Sequence, residues 1–306
     1  MDRYFFVLGF LLLGSGCEDP NKKNWGGDTP MHNAVWGDKV HELEKLHKKG
    51  GDLNVKGAWD RTLLHKSAEY FGGPKCAEYL LKHGADVDPR DREGATPLHY
   101  AATHGSEDVA VLLIEHQADV NARDNNEKTP LHWAVDKAHR TFIVDLLIQH
   151  GADVHAADTR GETPLHRAAV HNSNLEILKA LLDNGADINV KDNLGNTPLL
   201  LALASPFFCP MSEETLPREQ RMEQWRDRMK LYDNFGHSGF AFPRPYINLR
   251  VIEFLVEHGA DLRAVNHAGK TVLDIAIKEC LDPYVFKYLS EQEASFDAKY
   301  PLPHLD

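Results

Sequence analysis

The sequence predicts an all-α solenoid of about seven helix-turn-helix units, with β-hairpin-like turns between them and a helical insertion in the sixth. Two periodic markers carry this prediction. The string Thr-Pro-Leu-His, or a near copy, begins at Thr29, Thr62, Thr96, Thr129, Thr163, Thr197 and Thr271, and its first five intervals are 33, 34, 33, 34 and 34 residues. Gly-Ala-Asp, or a variant, places aspartates at Asp52, Asp86, Asp119, Asp153, Asp187 and Asp261, in phase with the first marker. A unit this short cannot bury its own apolar face. Its stability comes from stacking, and seven units exceed the roughly three that a solenoid needs.

Ahead of the first unit, Tyr4 to Leu13 form a ten-residue apolar run, preceded by Arg3 and followed by Gly14, Ser15, Gly16 and Cys17. Ten helical residues cover only about half of a bilayer core, so the run is too short to span a membrane and reads as an export signal over residues 1–16. The small residues leading into Cys17 resemble the lipobox of bacterial lipoproteins, in which that cysteine is acylated. The family's usual leucine three places before the cysteine is Gly14 here, with Leu13 one place earlier. Cleavage without lipidation and a buried N-terminal helix are the alternatives. Residues 17–27 are polar and carry Pro20, Gly26 and Gly27, a composition suited to a flexible tether.

Within each unit the residue types justify two helices. Proline fits the first helical turn, where its missing N–H would have no partner, and the threonine before it caps free amides, as at Thr96-Pro97 and Thr163-Pro164. Small apolar residues such as Ala101 and Ala102 let the first helix pack closely. The second helix carries a wider stripe, for example Val109, Leu112 and Leu113, at helical spacing. Glycine supplies a left-handed ending at His83-Gly84 and His150-Gly151, and Gln117 in that place should cost about 1 kcal/mol.

Between Thr197 and Thr271 the interval grows to 74 residues. Leu199 to Ala204 reads as a first helix and Val251 to Glu257 as its second, so residues 205–248 are inserted between them. Met222, Trp225, Met229 and Tyr232 make one apolar stripe on an otherwise charged helix. That stripe either folds back onto neighbouring units or docks a partner. Cys209 and Cys280 occupy comparable places in adjacent units, as free thiols or as a disulfide in an oxidising compartment. The seventh unit loses the Pro and His of the motif at Thr271-Val-Leu-Asp and suits a cap, with Ser290 and Glu291 toward a wetted face. The repeat domain thus spans residues 28–291, and residues 292–306 read as a loosely attached tail.

These motifs, over roughly residues 28–290, resemble those of the ankyrin repeat family. The resemblance implies a hairpin-like turn and two antiparallel helices per unit, stacked into a curved solenoid. It also implies that a protein partner meets the hairpin tips and the concave inner side of the first helices, at positions that vary between units.

Composition agrees with a binding role and narrows the class. Lys and Arg number 34 against 46 Asp and Glu, a net charge of −12, which opposes nucleic acids; a membrane contact is expected only through an acylated N-terminus. Nine of the 18 histidines occupy two repeated positions, five after Pro-Leu or its variant and four before Gly-Ala-Asp or its variant, which points to the unit's own hydrogen bonding and not to a metal. No catalytic, phosphate-loop or dinucleotide motif occurs, so the expectation is a non-enzymatic module without metal or cofactor. A secreted effector acting on host proteins is the alternative to an anchored envelope protein.

The variable positions nominate the contact residues. Those on the first helices are Trp36, Tyr70, Tyr100, His104, Trp133, Arg167 and His171, and those at hairpin tips are Trp59, Arg92, Asn125, Asn126, Lys128 and Arg160. Tyr100, Trp133 and Arg167 form the expected aromatic and cationic patch, of residue types common at interface hot spots. Filling gaps between layers is the other role open to these rings.

Overall fold

The computed structural model describes residues 19–69, 73–104, 106–137, 141–171, 174–204, 249–278 and 283–299. Fourteen α-helices among these residues form seven pairs: α1 (Pro30–Trp36) and α2 (Val40–Lys48), α3 (Leu63–Ala68) and α4 (Pro74–Lys82), α5 (Pro97–His104) and α6 (Glu107–Glu115), α7 (Pro130–Lys137) and α8 (Thr141–Gln149), α9 (Pro164–His171) and α10 (Leu175–Asp183), α11 (Pro198–Ala204) and α12 (Leu249–Glu257), α13 (Val272–Lys278) and α14 (Pro283–Lys299). No strand occurs among the described residues. First helices stack on first helices along the chain, and second helices stack on second helices, which is the predicted all-α solenoid of seven units. The insertion 205–248 with Met222, Trp225, Met229 and Tyr232 lies outside the described residues. So do the expected export signal, Cys17, Tyr70, Cys209 and Cys280.

Most of these helices have six to nine residues, too few to persist alone in water. Packing holds them. Met31, Leu64, Leu98, Leu131, Leu165 and Leu199, all two places after the motif threonine, are at most 1% exposed. Three places further on, Ala34, Ser67, Ala101, Ala134, Ala168 and Ala202 are buried and keep neighbouring first helices close. Truncating one of these leucines to alanine would cost about 2–5 kcal/mol.

The motif histidine joins one unit to the next. In unit four the Thr129 amide donates to His132 Nδ1 at 3.1 Å, so that nitrogen carries no proton, and Nε2–H donates to the Glu162 carbonyl at 3.1 Å. The same pair of bonds recurs at His32, His65, His99 and His166, which reach Arg61, Ala95, Lys128 and Asn196. Burial pushes all five imidazoles below their usual range, His65 and His132 to about 4. The seventh unit has Asp274 in that position. Its Oδ2 accepts from the Thr271 amide at 3.1 Å and the Thr271 hydroxyl at 2.9 Å, closing a local cap.

Both ends of the stack differ from the expectation drawn from composition. Residues 19–27, expected as tether, are tied onto the first unit: Asn21 Nδ2 donates to the Gly50 carbonyl at 3.1 Å, and the Asp52 amide donates to Asn21 Oδ1 at 2.9 Å. Asn54, Asp88, Asn121 and Asn189 accept the corresponding amide one unit further on. Asp19-Pro20-Asn21 is therefore the hairpin entry of a repeat, whose polar, turn-forming composition is that of a linker too. At the other end α14 continues to Lys299, where a loose tail from residue 292 was expected.

Glu42 and Lys45 of α2 are exposed. At the place of Glu42 the later units bury Cys76, Val109, Ile143, Ile177 and Val251. The first unit thus presents a wetted outer face, as a terminal unit must.

Candidate partner-binding surface

Each hairpin is folded around one side chain five residues before the motif threonine. Asp124 Oδ1 accepts the amides of Asn126 and Lys128 at 2.8 and 2.9 Å, and Asp91, Asp158 and Asp192 do the same in their units. Asn24 and Asn266 perform this role with an amide oxygen. Adjacent tips are then joined by backbone: the amides of Arg92, Asn125, Thr159, Asn193 and His267 donate to Trp59, Glu93, Asn126, Arg160 and Leu194 at 2.8–3.0 Å. The tips of units two to seven form a continuous ladder whose side chains are free to differ.

The second unit breaks the rule. Gly57 stands where the aspartate belongs, and Asp28 of the first unit accepts the Ala58 amide at 3.0 Å instead. A Cβ on Gly57 would lie 2.5 Å from Asp28 Oδ1 and 2.6 Å from His32 Nε2, so only glycine fits. The tip then holds Trp59 and Asp60 at φ of 59° and 60°, the left-handed region. Two consecutive side-chain-bearing residues there cost about 1–2 kcal/mol each.

Of the residues expected on the inner side of the first helices, most are occupied by neighbours. Tyr100 is only 4% exposed, and its hydroxyl donates to Asp91 Oδ2 at 2.7 Å. Arg61 lies 4.7 Å over the same ring and pairs with Glu69 at 3.0 Å. Trp133 is half-buried, edge-on to Tyr100, with Nε1 donating to Asp124 Oδ2 at 3.0 Å. Arg167 holds Asp136 of the preceding unit through Nε at 2.6 Å and a terminal nitrogen at 2.5 Å, and Glu162 at 3.1 Å. Burial opposes its charge, but these carboxylates raise its pKa on balance. His104 stacks on Tyr100 with ring centres 6.0 Å apart, Trp36 is half-buried, and His171 is exposed at the end of α9. The patch is therefore a brace between layers, with Trp133 and His171 at its accessible margin.

The tip residues stand in solvent. Trp59 is 61% exposed, Leu194 is 67% exposed, and Arg92, Asn125, Asn126 and Arg160 are exposed too, with Lys128 half-buried. Sequence reasoning missed the buried tip aspartates, although Asp91, Asp124, Asp158 and Asp192 recur at the same 33- to 34-residue interval. It also missed a basic column six places before the threonine. Lys56 Nζ donates to the Arg90 carbonyl at 3.4 Å, Arg90 to the Arg123 carbonyl, Arg123 to the Ala157 carbonyl at 3.1 Å, and Lys191 to the Val265 carbonyl at 3.3 Å. Among the described residues no group of three or more His, Cys, Asp or Glu side chains is placed to hold a metal ion, and no helix is long and apolar enough to cross a membrane.

Comparison with known proteins places these repeats. The family model for ankyrin repeats (three copies) matches residues 6–91, 31–124, 88–158 and 141–207. The chain is 41% identical over 91 residues to NF-kappa-B inhibitor alpha of Gallus gallus, covering 28% of each chain. It is 34% identical over 95 residues to Inversin of Gallus gallus, covering 31% of this chain and 8% of that one. A putative ankyrin repeat protein of Rickettsia felis is 28% identical over 78 residues, covering 26% of this chain and 20% of that one. The matched stretches span 8–28% of the length of these relatives, and the likeness is one of repeats.

Proposed function

Since the chain belongs to the ankyrin repeat family, and so to a class of protein–protein interaction modules, we propose that it binds a partner protein through its hairpin edge and the adjoining inner side of the first helices, without catalysing a reaction. One observation carries this reading. Consecutive tips are fixed to one another by backbone bonds while their exposed side chains, Trp59, Glu93, Asn126, Arg160 and Leu194, follow no repeat. A rigid backbone with unlike side chains binds with little ordering cost, which is where affinity and selectivity both gain.

The test is site-specific photo-crosslinking in the full chain. A crosslinker at Arg92, Asn126 or Arg160 captures the partner, and one at Glu78, Glu115 or Lys179 on the second helices does not. Equal capture from both sides overturns the reading.

The place of action is part of the same proposal. The apolar run before Cys17 supports export with acylation of that cysteine, giving an envelope protein held by its lipid. Labelled fatty acid on Cys17 and partitioning into the detergent phase bear this out. Free protein in the medium points to a secreted effector, and full-length unprocessed protein in the cell overturns both.

A further inference from the structure

The loops that enter successive units are stitched together by one side chain, two places after the Gly-Ala-Asp aspartate. Asn121 makes the full stitch: its Oδ1 accepts the Asp153 amide at 2.8 Å, and its Nδ2 donates to the Gly151 carbonyl at 2.9 Å. Asn21 and Asn189 make the same two bonds, with Nδ2 donating to the carbonyls of Gly50 and Gly259. Each stitch needs one acceptor and one donor. An amide side chain supplies both, and a carboxylate supplies acceptors alone.

Asp88 stands in that place in the loop entering the third unit. Its Oδ2 accepts the Asp119 amide at 2.9 Å, which is the acceptor half of the stitch. Its Oδ1 is buried and has no hydrogen-bond partner among the described residues. The carbonyl that matches those of Gly50, Gly151 and Gly259 belongs here to Gln117. Its backbone follows the same turn, with φ of 67° and its amide donating to the Ile114 carbonyl as that of Gly151 does to Ile148. Two departures from the repeat, Asp for Asn and Gln for Gly, thus fall on one seam. A buried carboxylate oxygen left without a donor costs stability.

We infer that Asp88 is a proton-operated latch across the third unit: a proton on Oδ1 makes that oxygen a donor to the Gln117 carbonyl and completes the stitch. Loss of the proton opens the donor half again. The seam is therefore loose at neutral pH and firm in acid, opposite in sense to the histidine clasps. The charged groups around the latch are Asp86 and Arg90 on its own loop and Asp119 on the next. Lys56 of the preceding loop is occupied with the Arg90 carbonyl at 3.4 Å. Burial pushes the Asp88 carboxyl up from its ordinary value; Asp119 and Asp86 add to this as charges, and the Asp119 amide and Arg90 oppose it. The folded chain holds this proton more firmly than the unfolded chain does. The stabilisation it brings is full below the unfolded value and is lost as pH rises through the folded one.

The experiment compares the full chain with Asp88→Asn, which supplies the donor at every pH, and with Asp86→Asn, which removes the same charge from an exposed neighbour. Urea unfolding is followed from about pH 7.5 to about pH 4. The folding equilibrium of Asp88→Asn is expected to be about tenfold more favourable than wild type at the upper end, shrinking to about twofold at the lower. The histidine clasps are common to both chains and cancel in the ratio. In the chain carrying isotope-labelled aspartate, the carboxyl resonance missing from Asp88→Asn is expected to titrate above about 3.9. Four results overturn the inference: no gain for Asp88→Asn at neutral pH, a gain that stays constant down to acid, an equal gain for Asp86→Asn, or an Asp88 resonance that titrates at or below the ordinary value.

Discussion

Arg167 closes on Asp136 of the preceding unit with two parallel bonds of 2.6 and 2.5 Å, and spends its remaining nitrogen on Glu162. An arginine expected to greet a partner is instead a strut between α7 and α9. Arg167→Ala leaves the part-buried Asp136 without its cation and Glu162 with only Arg160, 3.9 Å away, and should cost about 2–3 kcal/mol. Chemical denaturation measures this, and a loss under about 0.5 kcal/mol would return Arg167 to the surface.

The histidine clasps make the fold acid-sensitive. His65 and His132 titrate at about 4 when folded, against about 6.5 when unfolded. Their stabilisation is complete above pH 6.5. As pH falls from there to 4 the unfolded chain takes up protons that the folded chain refuses, so each histidine removes about 1.4 kcal/mol per pH unit. Urea midpoints should fall over that window. His132→Leu, copying Leu200 of the sixth unit, should be less stable at neutral pH and show a flatter slope.

Gln117 sits at φ 67° where Gly50, Gly84, Gly151, Gly185 and Gly259 occupy the same turn. A Cβ at those glycines would meet nothing within 4 Å, so the cost at Gln117 is backbone strain alone. Gln117→Gly should stabilise by about 1 kcal/mol, seen as a higher midpoint at an unchanged denaturant slope.

The tip aspartates separate charge from hydrogen bonding. Asp158→Ala abandons the amides of Arg160 and Glu162 and should cost about 2–3 kcal/mol. Asp158→Asn should be close to neutral, because Asn24 and Asn266 already hold two amides each in the same way. Equal losses for the two variants would show that the negative charge matters.

The helix pairs, their stacking and the structural use of the motif histidines were all legible, because each is written in a local pattern repeated about every 33 residues. Less legible was what a side chain does when its partner comes from another unit. Tyr100, Trp133 and Arg167 vary from unit to unit, which looks the same in sequence whether they face a ligand or a neighbour. Asp91, Asp124 and Asp136, which occupy them, settle the matter only once the layers are stacked. The ordered hairpin at residues 19–27 was missed because turn composition and linker composition coincide.

The hairpin of the second unit borrows its acceptor from Asp28, and Gly57 has no room for any other residue. Units three to six each carry their own tip aspartate. Units one and two do not. A duplication or graft that moved the second unit without the first would strand the Ala58 amide and release the turn that displays Trp59. The hairpins of the middle units are therefore self-contained, whereas those of the opening pair are inherited whole.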